Sequence, residues 1–351
     1  MSGNNGQLVD VDRLASFMDG VGLAAGAALR VERITTGHSN EVFRVERGDL
    51  RLALRRPPRT PLSPTAHDMA REYRLLTAFS NPDGWRAHEP VPVPRVRALC
   101  TDPDVIGAPF YLMDLVDGVV VRDRIPDELR ADPSAGRTCA FALIDALVAI
   151  HAFDWRAGGL EDFGRPDGYL ERQVPRWLGQ LERYKTRDLP EVDAAGRWLL
   201  ANTPEMQPPT VIHGDYKLDN VMFAPRLPVD LVAVVDWEQS TVADPLADLG
   251  WVLGLWTDPG DADLYGGASP LAETVGAPTR AELAQRYADG SGRDVTHLAF
   301  YCVLGLFKLA CVMEGSYARF KAGTSDDAYF AMLADGVPAL ARRALEFTHS
   351  S

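Results

Sequence analysis

The eight residues His213-Gly214-Asp215-Tyr216-Lys217-Leu218-Asp219-Asn220 constrain this chain of 351 residues more than any other feature. Thr210-Val211-Ile212 reads as a short strand ahead of them, and Val221-Met222-Phe223 reads as another directly after. The apolar run Leu231-Val232-Ala233-Val234-Val235 then leads straight into Asp236. One loop thus carries a carboxylate and an amide, and a buried strand beyond it ends in a second carboxylate.

That set is what phosphoryl transfer requires. One group accepts the proton of the attacking hydroxyl, and two oxygen ligands hold a hard cation that bridges the phosphates. Asp215 suits the first role; Asn220 and Asp236 suit the second, with Mg²⁺ as the cation. His213 suits bracing the loop through hydrogen bonds. Lys217 is either a cation that neutralises the transferring group or a solvated surface lysine. Asp219 reads as a turn residue rather than a ligand.

Periodicity along the chain supplies the frame. A helix is predicted from Val9 to about Met18, then three antiparallel strands over residues 29–35, 41–47 and 51–56. A helix over 67–79 and two strands over 95–101 and 110–116 follow. Beyond Gly118 the character turns helical, over 137–153, 169–187 and 194–201, with the strand region 210–236 before further helices. Strands first and helices after predict an α+β chain of two lobes, residues 1–117 and 118–351.

Composition narrows the partners. A net charge of −13 argues against nucleic acid and anionic membranes. Residues 230–294 hold twelve acidic side chains against three arginines, whereas residues 41–60 hold six arginines against three acids. Those runs are either solvated faces, or a phosphate-facing front segment with a rear segment suited to a cationic substrate. The apolar run around Leu298–Cys311 is predicted to fall short of a membrane span. The N-terminus lacks a signal-peptide pattern, so a cytoplasmic location is expected. Four cysteines without metal-ligand spacing are expected to be buried free thiols, Cys302 and Cys311 on opposite helix faces. Gly20, Gly22 and Gly26 do not make a dinucleotide fingerprint, because the third glycine is a residue late and the run follows a helix.

His213–Asn220, Val234-Val235-Asp236-Trp237-Glu238 and Asp244-Pro245-Leu246-Ala247-Asp248-Leu249-Gly250-Trp251 together resemble the aminoglycoside/choline phosphotransferase family. The resemblance implies a two-lobed protein-kinase-like fold, ATP (or GTP) with Mg²⁺, and a small-molecule hydroxyl as acceptor. It implies nucleotide contacts from the turn containing Gly37, Ser39 and Asn40, and from the hinge strand with Met113, Asp114 and Val116. Val42 and Met113 read either as walls for the base or as core packing. Related kinases carry a lysine on the strand Leu52-Ala53-Leu54-Arg55-Arg56; here Arg55 takes its place, with Arg56 as the fallback. Alternation puts Leu52 and Leu54 on one face and Ala53 and Arg55 on the other. Glu72 is either the partner that orients Arg55 or an exposed helix residue. Asp244 and Asp248 are expected to be structural acceptors.

Asp236-Trp237-Glu238 and the absence of an Ala-Pro-Glu segment speak against a protein substrate. The Gly-His-Ser-Asn turn, Leu-Arg-Arg-Pro-Pro and the 213–220 string resemble the branch linked to acyl-CoA dehydrogenases. That branch implies a hydroxyacyl thioester or another hydroxylated metabolite rather than an antibiotic. The rival from another class is a nucleotide-binding pseudokinase or regulatory module, for which the missing lysine is the one supporting feature. The sequence leaves the oligomeric state open.

Overall fold

The computed structural model of the protein describes residues 8–34, 40–58, 68–81, 84–85, 90–122, 124–258, 261, 271, 274, 276–324 and 328–349. Helix α1 (Val11–Gly20) begins where the Asp10 carboxylate accepts the Arg13 N–H at 3.0 Å, a side-chain N-cap. Five strands then form one antiparallel sheet: β1 (Leu29–Ile34), β2 (Glu41–Arg47), β3 (Leu50–Arg56), β4 (Val96–Cys100) and β5 (Phe110–Asp114). Their order across the sheet is β1-β2-β3-β5-β4.

The two-residue alternation gives this sheet two different faces. Phe43, Val45, Leu52, Leu54, Phe110 and Leu112 bury against Leu14 and Met18 of α1. Each such fully buried side chain contributes about 1.5–3 kcal/mol of hydrophobic stabilisation. The other face carries Val42, Ala53, Arg55, Tyr111 and Met113. Pairing sets Val42 opposite Arg55, Arg55 opposite Tyr111, and Ala53 opposite Met113.

Helix α2 (Met69–Phe79) starts on a second cap, Asp68, which accepts the Arg71 N–H at 3.0 Å. Its Leu75, Leu76 and Phe79 join the large core made by the C-terminal helices. Phe79 meets Phe153 and Trp237 edge-on, with centroids 4.8 and 4.9 Å away. The molecule therefore has two cores, as its length allows, but they are not divided at residue 117.

The C-terminal part contains α3 (Ala135–Ala152), α4 (Tyr169–Leu181), α5 (Pro190–Ala201), α6 (Leu246–Leu255), α7 (Arg280–Ser291), α8 (Leu298–Lys321) and α9 (Ala328–Phe347). Two small antiparallel pairs sit among them: β6 (Thr210–Ile212) with β9 (Thr241–Ala243), and β7 (Val221–Phe223) with β8 (Leu231–Val234). Helix α5 starts earlier than its apolar pattern predicts because Pro190 supplies a preset first turn.

Helix α8 corrects the expectation of a short apolar run. At 24 residues it is long and apolar enough to cross a membrane, as is α3, yet 67% and 56% of those apolar windows lie inside the molecule. Their apolar character is used up in the core. Cys302 and Cys311 are both buried because α8 is covered on opposite sides, and Cys100 and Cys139 are buried free thiols as well.

Candidate active site

The strand pairs fix the loop that carries the 213–220 string. Val221 pairs with Val234, and the Val235 N–H donates to the Asn220 carbonyl at 2.9 Å. Asn220 and Asp236 therefore flank the same end of the β7–β8 hairpin. Upstream, Gly214 has φ of +83° and a Cβ there would lie 2.4 Å from the Gln239 carbonyl oxygen, so only glycine fits. The Asn220 amide nitrogen donates to the Asp215 carbonyl at 2.7 Å and to its carboxylate at 3.2 Å. Lys217 Nζ lies 3.2 and 3.1 Å from the two Asp215 carboxylate oxygens, which rules out a freely solvated lysine. Asp219 lies in the turn Leu218–Asn220, 3.8 Å from Arg122.

Buried acceptors hold this loop in place. His213 is fully buried and its Nε2 bonds the Val235 carbonyl at 2.9 Å, while its Nδ1 accepts the Asp215 N–H at 3.3 Å. Asp248 accepts the N–H groups of His213 and Gly214 at 2.6 and 2.8 Å. Burial pushes the Asp248 carboxyl up, but His151, 3.4 Å from it, and the donated bonds hold it below the usual range. Asp244 accepts from the Leu246 and Gln207 amides and from the Tyr301 hydroxyl, each within 2.9 Å. Both carboxylates are thus structural acceptors.

The sheet meets the hairpin through Arg55. Its Nε donates to Glu72 at 3.0 Å and its second terminal nitrogen to Asp236 at 2.5 Å, with Glu238 3.8 Å away. Glu72 is buried, not an exposed helix residue, and its other oxygen accepts the Trp237 N–H at 3.1 Å. Burial pushes Asp236 up, yet Arg55 holds its carboxyl below the usual range. Glu238 is pushed up to about 7 by burial and by Asp236. Arg56 is no fallback: its guanidinium donates to the Leu8 and Ile106 carbonyls on the outer side of the sheet.

Gly37 and Ser39 lie outside the described residues. Asn40 is buried and donates to Glu238 at 2.7 Å, so its side chain is committed to the hairpin. Met113 is half-buried and packs against the larger core, while Val42 shares its sheet face. The Asp114 carboxylate is taken by Arg97 at 2.6 and 2.8 Å. The Asp114 and Leu115 amides are also spent, on Arg95 and Arg51 carbonyls, and Val116 comes next in line.

Three residues beside the site escape sequence reasoning. Glu238 and Gln239 look like ordinary polar residues, and Lys308 stands in α8, far along the chain. Lys308 Nζ donates to the Gly214 carbonyl at 2.7 Å and to Gln239 at 3.0 Å. Burial pushes its pKa down to about 8, against the pull of Asp215 and Asp248. The signal was present: Lys308 is the one charged residue between Leu298 and Met313. Among the described residues of the acidic stretch 230–294, several carboxylates are paired within the fold. Asp258 and Asp261 pair with Arg280, Arg343 also holds Asp261, and Glu282 caps α7.

Among the described residues, no group of three or more His, Cys, Asp or Glu could hold a metal by itself. Asn220 and Asp236 nonetheless fit Mg²⁺, which takes one or two protein oxygens and fills its shell from water and phosphate. The Asn220 Oδ1 and Asp236 Oδ2 atoms accept no hydrogen bond among the described residues, so both are open to a cation.

Comparison with known sequences decides the family. The profile of the phosphotransferase enzyme family matches residues 30–297. The chain belongs to this family. Within it, the chain is 34% identical over 326 residues to acyl-CoA dehydrogenase family member 11 of Gallus gallus, covering 92% of the chain and 40% of the relative. It is 31% identical over 320 residues to acyl-CoA dehydrogenase family member 10 of Mus musculus, covering 90% of the chain and 29% of the relative. The chain thus spans less than half the length of these relatives. Its structure superposes on a Ralstonia eutropha protein described as an aminoglycoside phosphotransferase with a TM-score of 0.80 and 29% identity, covering 97% and 98% of the two chains. A choline/ethanolamine kinase family protein of Mesorhizobium loti shares the fold, with a TM-score of 0.57, 19% identity and 96% of each chain covered. The two-lobed kinase-like α+β fold implied by the sequence is therefore the fold of this chain.

Proposed function

We propose that this phosphotransferase moves the γ-phosphate of ATP to a hydroxyl of a small metabolite. The observation that carries the reading is the meeting of Asp215, Asn220 and Asp236 at one end of the β7–β8 hairpin, under Arg55 of the sheet. Asp215 takes the hydroxyl proton. Lys217, on the Asp215 carboxylate, offsets negative charge on the transferring group. Arg55 faces the phosphates, oriented by Glu72. Asn220 and Asp236 would ligate Mg²⁺, which when bound neutralises charge on the β- and γ-phosphate oxygens. Positioning and charge neutralisation account for most of the acceleration in this chemistry.

The likeness to acyl-CoA dehydrogenase family members supports a hydroxylated metabolite, a hydroxyacyl thioester among them, over an antibiotic. We assign nucleotide contacts to residues 1–117 and the acceptor to residues 118–351, in the cytoplasm. The net charge of −13 supports the absence of nucleic-acid and membrane partners. A binding-only module is the second reading, favoured by the commitment of Arg55 to three carboxylates.

The test is Mg²⁺-dependent phosphate transfer from ATP across a panel of hydroxyl acceptors, with Asp215→Asn as control. Transfer to one acceptor class, lowered about 10²–10⁴-fold in the variant with nucleotide binding retained, is the expected outcome. Tight ATP binding with no transfer to any acceptor would favour the binding module.

A further inference from the structure

Beside the catalytic loop lies a narrow cavity of about 30 Å³ between α4, α6 and α8. Tyr169, Gln173, Trp177, Trp251, Asp248 and Lys308 line it, with Gly214 beside them. Gly250 makes the arrangement possible. A Cβ there would lie 2.4 Å from the Tyr301 backbone, so α6 and α8 approach closely and bring Trp251 beside Lys308.

The charge of this cavity is unusual for a site next to a catalytic carboxylate. Lys308 Nζ lies 4.7 Å from the Trp251 ring centre and 5.8 Å from that of Trp177. Arg176 covers Trp177 at 5.0 Å. Aromatic faces of this kind recognise alkylammonium groups. Here the protein's own cations already occupy them. The charged groups that act on Lys308 are Asp215 and Asp248, together with Arg176 and Lys217. Lys217 is paired with Asp215 and Asp248 accepts two loop amides, so Lys308 is the cation that stands on the aromatic faces a second cation would need.

Lys308 also has a donor to spare. An ammonium carries three N–H groups, and among the described residues two are used, on Gly214 and Gln239. A cavity of about 30 Å³ has room for a small group such as a carbonyl or carboxylate oxygen and none for a sugar ring.

We propose that Lys308 is a specificity residue of the acceptor site: its free N–H binds a carbonyl or carboxylate oxygen of the acceptor, and its charge excludes amine-bearing alcohols. This rests on the kinase reading, because it takes the loop at Gly214–Asp215 as the place where the acceptor hydroxyl lies. It sharpens that reading by naming the acceptor as a hydroxy acid or hydroxyacyl derivative.

The test is calorimetric titration of the full chain, with ADP and Mg²⁺ present. The probes are 3-hydroxybutanoate, its N-acetylcysteamine thioester, choline and 2-aminoethanol. We expect saturable binding of the two oxygen-bearing probes, with the amines weaker by about tenfold or more. Lys308→Met should weaken the oxygen-bearing probes by about tenfold or more and leave ADP affinity within about twofold. The proposal is overturned if the amines bind the wild type as tightly, if Lys308→Met binds the acids unchanged, or if neither oxygen-bearing probe binds. The wild-type arm decides even if the variant does not fold. A parallel transfer assay separates the two readings: selective binding without transfer sinks the kinase and supports the pocket, and transfer to amines alone does the reverse.

Discussion

Asp248 holds the backbone of His213 from 35 residues further along the chain, accepting its N–H at 2.6 Å while also accepting that of Gly214 at 2.8 Å. The first contact is buried and the second partly so, and the first residue of α6 to carry a charge sets the path of the loop just before Asp215. Asp248→Asn presents a donor where one of these amides needs an acceptor. It should cost about 2–4 kcal/mol in urea unfolding and lower transfer, since a buried amide is left unpaired.

Gly214→Ala tests the same loop from inside. Its φ of +83° alone costs a side chain about 1–3 kcal/mol, and the new Cβ would also press on the Gln239 carbonyl. Turnover should fall further than nucleotide affinity. Equal loss of both would mean that the loop's path does not govern Asp215.

Arg55→Met leaves the Glu72 carboxylate buried without its arginine, while it still accepts the Trp237 N–H. We expect a loss of about 3–5 kcal/mol by denaturant titration, because a buried charge loses its partner. Arg55→Met/Glu72→Gln should regain much of that stability without regaining activity. Recovery of activity in the double variant would show that the arginine serves only the fold.

Acid should weaken the protein partly through His151. Its pKa is lowered by burial beneath the usual value of about 6.5, so below that pH the unfolded chain binds a proton that the native one resists. Stability therefore rises with pH through this window and falls as pH drops below it. In His151→Gln the drop in Tm between about pH 7 and 5 should be shallower than in the wild type.

Much of this was legible because the relevant residues are neighbours in sequence. Asp215, Asn220 and Asp236 fall within one strand–loop–strand–strand segment, and period-two alternation alone put Arg55 and Ala53 on the face away from Leu52 and Leu54. The end of α4 and the start of α5 were not legible, since the turn after Leu181 and Pro190 override the apolar pattern. Lys308 escaped for a different reason. Its contact with Gly214 spans 94 residues, and no local pattern records a pairing that helix packing creates. Nor could composition show that Asp258 and Asp261 are neutralised by Arg280 and Arg343.

The allegiance of α2 has a consequence for anyone hoping to recombine such chains. By sequence this helix belongs with the sheet, yet Leu75, Leu76 and Phe79 are buried among C-terminal side chains, and Glu72 reaches both Arg55 and Trp237. A crossover at residue 117 would send α2 away with a stranger's helices. Chimeras should tolerate exchange of α1 and the outer sheet face far better than exchange of the whole first third.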